Sequence, residues 1–503
     1  MALHLLSLVA TVSAAALAKN SLPCDIYEFG ETPCVAAHST TRALYANYSG
    51  PLYQVVRDSD GSTTNINTKS RGGIADSGWQ DTWCAGTTCG ISMIYDQSPR
   101  GNHLSRAPPG GFKGPELNGT DNIASAVGAP VLLNGNRVYG VFVSPGTGYR
   151  REDVNGTAVG DEPQGIYAVF DGAHTNNQCC FDYGNAETNA LDTGNGHMET
   201  IYFGDINGMG NGKGNGPWIM ADLENGLWAG SKEGNDPGVP SVPFRFVTAV
   251  VKGEPNHWSI RGANAASDRA MSTYFEGERP KNGYNPMKRE GAIILGIGGD
   301  NSDWSQGTFY EGCMTEGYPD DSIEDAVQAN IASAGYDIAP LMDGPKVSVG
   351  STISFRAGRS GNNYLAHDPH AGNISIHTVT DGNSADEKKA ASWRVRTGLG
   401  NAGCLSFESV DRAGTFIRHS GFKLQADKND GTKLFREDAT YCAVQGFSGE
   451  GTNSFRNWGY AARYFRVYNG FVYTASNGGP REFDTKANWN NDASWTVVDG
   501  FAS

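Results

Sequence analysis

Short apolar or alternating runs, each broken by glycine, dominate the first 320 residues. GIYAVFDG, ETIYFGD, GPWIMADLENG, FRFVTAVVKG and GAIILGIGG are examples. Each reads as a strand, and their spacing predicts a sandwich with long loops. One helix is predicted. EDAVQANIASAG follows Asp321-Ser322, with Glu324 placed as the capping-box partner of Asp321 and Gly335 ending the run.

Beyond Asp337 the texture changes. APLMDGP reads as a linker, and a triplicate follows. Tyr364-Leu365-Ala366-His367 is echoed by Phe416-Ile417-Arg418-His419 and by Tyr464-Phe465-Arg466-Val467, in steps of 52 and 48 residues. Ala391-Ser392-Trp393, Ala439-Thr440-Tyr441 and Ala493-Ser494-Trp495 form a second set. Three strand-like units of this size predict a β-trefoil, whereas propellers and solenoids need more copies. The chain is thus expected to be all-β, a sandwich over residues 19–338 and a trefoil over 339–503. A length of 503 residues is in any case too great for one core.

The N-terminus, MALHLLSLVATVSAAALAKN, is an apolar run ending in small residues. It predicts a secretory signal peptide over 1–18, cut near Lys19. No later run is long enough to span a membrane. Four glycosylation sequons, at Asn47, Asn118, Asn155 and Asn373, agree with export. Net charge is −15 with no basic block, which argues against nucleic acid as a partner. A secreted, extracellular monomer is expected.

Nine cysteines suit an oxidising compartment. Cys24 with Cys34, Cys84 with Cys89, and Cys404 with Cys442 form three local candidate bridges. Cys179 and Cys180 are adjacent, and Cys313 is left over. A vicinal Cys179–Cys180 bridge is the simplest pairing; a bridge from one of them to Cys313 is the alternative. A vicinal disulfide is a hard, apolar plate suited to a pocket wall.

The chain holds no zinc-ligand spacing, P-loop or GxSxG elbow, and its ten histidines form no HxH or HExxH cluster. Gly296-Ile297-Gly298-Gly299 is followed by no helix, so it is no phosphate loop. Carboxylates remain. Trp218 to Glu224 alternates like a strand, so Asp222 and Glu224 share a face with Met220, while Ile219, Ala221 and Leu223 share the other. Two acids on one face of an apolar strand are costly unless they line a pocket, and each raises the other's pKa. A polar outer face is the alternative. Asp300 projects where an apolar strand ends in glycines that let a substrate approach the backbone; a turn aspartate is the alternative. Retaining glycoside hydrolysis needs two such carboxyls about 5 Å apart, one nucleophile and one acid/base.

At these residues the chain resembles the fungal family 54 α-L-arabinofuranosidases. The likeness runs through PCDIYEFGETPCVAAHSTTRALY, GGIADSG, IYDQSPRGNHL, APPGGF, GAPVLLNG, SPGTGYR, CCFDYGNAET, WIMADLENG, YNPMKREGAIILGIGGDN and GTFYEG. GTFYEGCMTEGYPDDSIEDAVQANI also looks like the closing strand and helix of concanavalin-like sandwiches. The C-terminal part resembles the family 42 arabinose-binding module through LSFESVD, FIRH, NDGTKLFREDATYC and ASNGG. The resemblance implies a retaining, exo-acting enzyme that removes terminal arabinofuranose from arabinoxylan and arabinan, needing no metal or organic cofactor. It makes Glu224 the nucleophile, Asp300 the acid/base and Asp222 a sugar contact. Asn225 and Gly299 fall at further pocket positions, Cys179 and Cys180 form an apolar wall under the furanose, and Met198 fits another wall position.

The chain also departs from the family. A pocket Trp is expected from the loop after IY-x-G, but that loop reads GDINGMGNGKG, and Met209 stands nearest the position. Cys313 reads as a buried free thiol. The module's sugar sites use a His from the first echo and an Asp before the second. The second repeat keeps His419 and Asp438. The third keeps Asp492 and Tyr468 but has Val467 for the His. The first keeps His367, with its nearest aspartate, Asp386, seven residues before Trp393. The second site is therefore expected to bind and the third to be weakened. Two rivals remain: a non-catalytic lectin, and an exo-glycosidase for another sugar such as xylose or galactofuranose.

Overall fold

The structure, a computed structural model, describes residues 21–116, 119–358, 361–368 and 372–502. The expected signal peptide and the sequon at Asn118 lie outside the described residues. Asn47 and Asn155 are exposed and Asn373 is half-buried.

The fold is all-β. Among the described residues, a nine-stranded and a twelve-stranded sheet pack as a sandwich, and a third assembly of twelve strands forms the trefoil. At the centre of the nine-stranded sheet, Gln164–Asp171 pairs antiparallel with Gly307–Glu316. Every residue of Gln164–Asp171 is buried, because it lies under both neighbouring strands and the facing sheet. In the twelve-stranded sheet Trp218–Asp222, Glu199–Gly204, Asp182–Ala186 and Ala292–Leu295 lie side by side. From there the sheet runs through Tyr149–Arg151, Leu104–Arg106, Cys89–Ile94 and Pro51–Arg57 to an edge strand, Thr63–Asn67. Ile219, Ala221 and Leu223 enter the main sandwich core, while Trp218 and Met220 pack on the outer face with Cys180 and Tyr202. The alternation expected for this strand is thus present.

Polar bonds fix the core. Arg42 donates to both oxygens of Glu311 at 2.6 Å, and Tyr336 adds a third bond at 2.8 Å. Glu311 is fully buried on the central strand, so these bonds clamp the strand to the chain's first segment and to the strand Tyr336–Ile338.

Glu324 does not form the expected capping box. The helix Asp321–Ser333 starts one residue earlier, with Asp320 at the N-cap and no side-chain cap. Glu324 is buried and turned into the sheet, 3.0 Å from Lys252 and 2.7 Å from Arg261. Two buried cations need a carboxylate more than an exposed backbone N–H does. Gly335 follows the helix in the left-handed region, where it ends the run as expected. Among the described residues, five further α-helices, Pro23–Phe29, Ser77–Trp83, Ala385–Ala390, Lys433–Asp438 and Trp489–Asp492, have at most seven residues each. That is too short to leave a periodic trace.

The four disulfides are Cys24–Cys34, Cys84–Cys89, Cys179–Cys180 and Cys404–Cys442. Cys313 is buried and free.

In the trefoil, the first echoes lie on the strands Asn363–His367, Thr415–Ser420 and Tyr464–Tyr468. The second echoes lead into Trp393–Thr397, Tyr441–Gln445 and Trp495–Asp499, each preceded by one of the short helices. Leu365, Ile417 and Phe465 meet Trp393, Tyr441 and Trp495 in one core. A third set went unread in the sequence: Ser354, Ser406 and Ser454 each donate at 2.7 Å to the carbonyl of Ala391, Ala439 and Ala493. Phe355, Phe407 and Phe455 follow these serines into the core. The trefoil docks on the sandwich through Trp458 against Phe142 and through Gln306, which donates at 3.1 Å to Glu437.

Replacing Glu311 by Ala strands the Arg42 guanidinium in the core. The expected cost is about 3–5 kcal/mol of sandwich stability. Denaturant unfolding checks this, and a loss under about 1 kcal/mol would contradict the clamp.

Candidate active site

Trp218–Asp222 ends at Asp222, and the chain then turns sharply. Glu224 and Asn225 both have positive φ, 60° and 53°, a costly conformation for two successive non-glycine residues. The turn is held by Leu223 N–H donating to Gly226 O at 3.1 Å and Glu224 N–H donating to Asp222 Oδ1 at 3.1 Å. Glu224 therefore reaches the pocket through this turn, not through the strand alternation expected from the sequence.

The second arm comes from Ala292–Leu295. A turn after Ile297 is closed by Gly298 N–H donating to Ser302 O (2.9 Å) and Asn301 N–H donating to Gly298 O (3.0 Å). Asp300 Oδ1 accepts the Ser302 N–H at 2.9 Å, which fixes its carboxyl. Gly299 is needed for space: a Cβ there would run into Glu187 Oε2 and crowd Met198 Sδ.

These arms meet in a cleft of about 340 Å³. Glu224, Asp300, Asp222, Asn225, Gly299, Cys179, Cys180 and Met209 all line it, together with Ser302 and Leu227. Cys180 Sγ lies 3.4 Å from Asp222 Oδ2, so the disulfide plate abuts the sugar-contact candidate. Asn225 is oriented by donating to Asp192 Oδ1 at 3.0 Å. Met209 is half-exposed on the rim. Met198 is fully buried behind Gly299, among Ala107, Ala186, Ile294 and Ile297, and supports the wall from behind.

Two further acids complete the floor and were not singled out in the sequence. Asp182 and Glu187 are fully buried, and their oxygens have no ordinary donor among the described residues. The Asp182 carboxyl faces Asp222 and the Glu187 carboxyl faces Glu224. Neither pair can ionise twice at such range, so each shares a proton. Burial, then the pairing, pushes Asp182 and Glu224 well above the usual carboxylate range. Burial pushes Asp222 up to about 7. Arg150, also buried, donates to Gly299 O at 2.7 Å and to Glu187 O, tying the second arm to the segment that follows Asp182–Ala186. The one mark they carry in the sequence is to share the run CCFDYGNAET with the cysteine pair, which does not by itself single them out. Cys179, Cys180 and Asp222 also offer three close ligand atoms, but bridged sulfurs supply no thiolate for a metal.

In the trefoil, His419 Nε2 and Asp438 Oδ1 lie 3.3 Å apart, both buried. Burial drives His419 down to about 3 and Asp438 up to about 7. Arg418, 3.6 Å from Asp438, joins them. In the third repeat Arg466 takes the same place, 3.4 Å from Asp492. Tyr468 stands half-buried at the end of the same strand, and Val467 packs against the core. Sequence reading missed both arginines, although each directly precedes the His or Val position. In the first repeat Asp386 is exposed and 3.8 Å from Lys389, away from His367. His367 Nε2 instead meets Asp411 at 2.9 Å, and Arg412 reaches Nδ1 at 2.5 Å.

Clustered carboxyls with perturbed pKa values, a cleft on an all-β body and an attached trefoil define a glycoside hydrolase. Residues 23–337 match the family model "Alpha-L-arabinofuranosidase B, catalytic", and residues 353–497 match the ABFB domain. The chain is 59% identical to a probable α-L-arabinofuranosidase B of Aspergillus clavatus, covering 99% of this chain and 97% of that one. It is 58% identical to a Trichoderma koningii protein described as arabinofuranosidase/β-xylosidase, over 99% of this chain and all of that one. A solved arabinofuranosidase complexed with arabinofuranosyl-α-1,2-xylobiose superposes with TM-score 0.94 at 56% identity, covering 96% of this chain and 100% of that one. The chain belongs to the α-L-arabinofuranosidase B family, glycoside hydrolase family 54.

Replacing Glu187 by Gln removes a like charge and leaves an amide that can donate. Both changes favour ionised Glu224. The acid limb of kcat/KM for an aryl arabinofuranoside should move to lower pH; an unmoved or raised limb would refute the shared proton.

Proposed function

We propose that the chain is a secreted, exo-acting, retaining α-L-arabinofuranosidase that releases terminal arabinofuranose from arabinoxylan and arabinan. Residues 19–338 act as the catalytic domain and 339–503 as an arabinose-binding trefoil. One observation carries the reading: a single cleft gathers Glu224, Asp300, Asp222, Asn225, Gly299 and the Cys179–Cys180 plate. With the shared proton moved onto Glu187, the Glu224 carboxylate attacks the anomeric carbon while Asp300 protonates the departing glycosidic oxygen. Asp300, now a carboxylate, then takes a proton from water as it displaces Glu224. Asp222 holds sugar hydroxyls, and the disulfide packs under the ring. Among the described residues no helix is long and apolar enough to cross a membrane. The Trichoderma koningii relative's name supports a second reading, a side activity on β-xylosides.

Glu224→Ala and Asp300→Ala should each lower turnover by several orders of magnitude, and azide should rescue the Glu224 variant on an activated substrate. More than a tenth of wild-type rate in Glu224→Ala would refute the nucleophile assignment. Proton NMR of the first-formed sugar should show the retained anomer.

In the trefoil, His419, Asp438 and Arg418 converge in the second repeat, whereas Val467 leaves Asp492 and Arg466 without a histidine. Losing one charged hydrogen-bond partner costs about 1–3 kcal/mol, or roughly 5- to 150-fold in affinity. Asp438→Ala should therefore weaken arabinose binding more than Asp492→Ala. Calorimetry that ranks them the other way would overturn this order.

A further inference from the structure

A groove far from the cleft has the chemistry of a carbohydrate platform. It wraps the edge strand Thr63–Asn67 and is lined by Gln54, Thr63, Asn65, Asn67, Asp76 and Trp79. Trp79 is 44% exposed, which is unusual for the largest apolar side chain. Its ring is nonetheless fixed. The indole N–H donates to Thr64 Oγ1 at 3.3 Å, and Trp83 lies against it with centroids 5.9 Å apart. A held aromatic ring with an open face suits stacking by the C–H face of a sugar.

The polar groups around it are uncharged and already ordered. Asn65 Oδ1 accepts from Tyr95 O–H at 2.9 Å and from Gln54 at 3.2 Å, and Gln54 Oε1 accepts from Ser92 at 3.0 Å. This arrangement sets the Asn65 amide with its NH₂ donors unused among the described residues. Asp76, the one acid, is turned to the backbone N–H of Trp79 at 3.4 Å. Neutral amides, hydroxyls and an aromatic plate select a neutral polyhydroxylated chain over an ion or an apolar peptide. A chain charge of −15 further disfavours a polyanion.

Position gives the groove a purpose. Tyr53 and Val55 point into the sandwich core, so Gln54 points outward, as do Met220 and Trp218 beside the cleft. Groove and cleft thus share the outer face of one sheet. From Ala292–Leu295 to Thr63–Asn67 is five strand steps, roughly 24 Å at about 4.8 Å per step. That span matches a few sugar units of an extended polysaccharide.

We propose that the Trp79 groove is a second, non-catalytic glycan-binding site that holds the polysaccharide backbone while the cleft works on its side chains. The test uses the full chain with Asp438→Ala and Asp492→Ala, which reduces retention by the trefoil. Retardation is measured in gels containing soluble arabinoxylan, and separately unbranched β-1,4-xylan. Adding Trp79→Ala should weaken retention roughly tenfold in both gels, a change of about 1.4 kcal/mol. Trp79→Tyr should keep most of it, because the plate remains. Asn65→Ala, a substitution at an exposed strand position, should weaken it without lowering the melting temperature. Unchanged retention in Trp79→Ala or in Asn65→Ala overturns the proposal. So does self-association that disappears in Trp79→Ala while retention stays, since the groove would then belong to a second copy of the chain.

Discussion

Too many carboxyl groups meet under one cleft for all of them to be charged. Asp182, Asp222, Glu187 and Glu224 converge there, and the buried guanidinium of Arg150 is tied to the backbone carbonyls of Gly299 and Glu187. The surrounding architecture follows from that crowding. Paired acids must share protons, so their positions must be held against repulsion. The left-handed turn at Glu224 and Asn225, the missing Cβ at Gly299 and the disulfide plate against Asp222 are the means. Each is a rigid, short-range constraint. Perturbed carboxyls at a site of this kind are the state from which acid and nucleophile chemistry becomes possible near neutral pH.

The rigidity is inherited from the sandwich. The two arms that carry Glu224 and Asp300 leave strands whose inner faces are Ile219, Ala221 and Ile293, all fully or almost fully buried. The central strand behind them is locked by Arg42 and Glu311. The trefoil joins this body through an apolar contact, Trp458 on Phe142, and through polar bonds that Lys433 donates to Asp205 and Glu437 accepts from Gln306. Glu437, which accepts from Gln306, precedes Asp438, and Asn490, which donates to Gly86 of the sandwich at 3.2 Å, stands two residues before Asp492, so the candidate acids of the second and third repeats both lie near the docking face.

Patterns that repeat or alternate were legible in the sequence. The two faces of Trp218–Leu223, the threefold echoes and the four disulfides could be read because period and spacing carry them. Single buried polar groups could not. Asp182 and Glu187 look like any strand-end acids until a second strand brings Asp222 and Glu224 against them. Glu324 fitted a capping box locally, and only the fold revealed Lys252 and Arg261 beneath it. Arg418 and Arg466 stood within recognised echoes, but their reach to Asp438 and Asp492 depends on side-chain direction that period alone does not give. The partners of His367, Asp411 and Arg412, lie 44 and 45 residues away, beyond local reasoning.

The most direct test of this account is covalent. An arabinofuranose-configured electrophile that traps the nucleophile should be incubated with the full chain, followed by proteolysis and peptide mass mapping. The account predicts one sugar equivalent on Glu224, in the peptide containing WIMADLENG. A label on Glu187, Asp222 or Asp300 instead would contradict the assignment of Glu224 as the nucleophile.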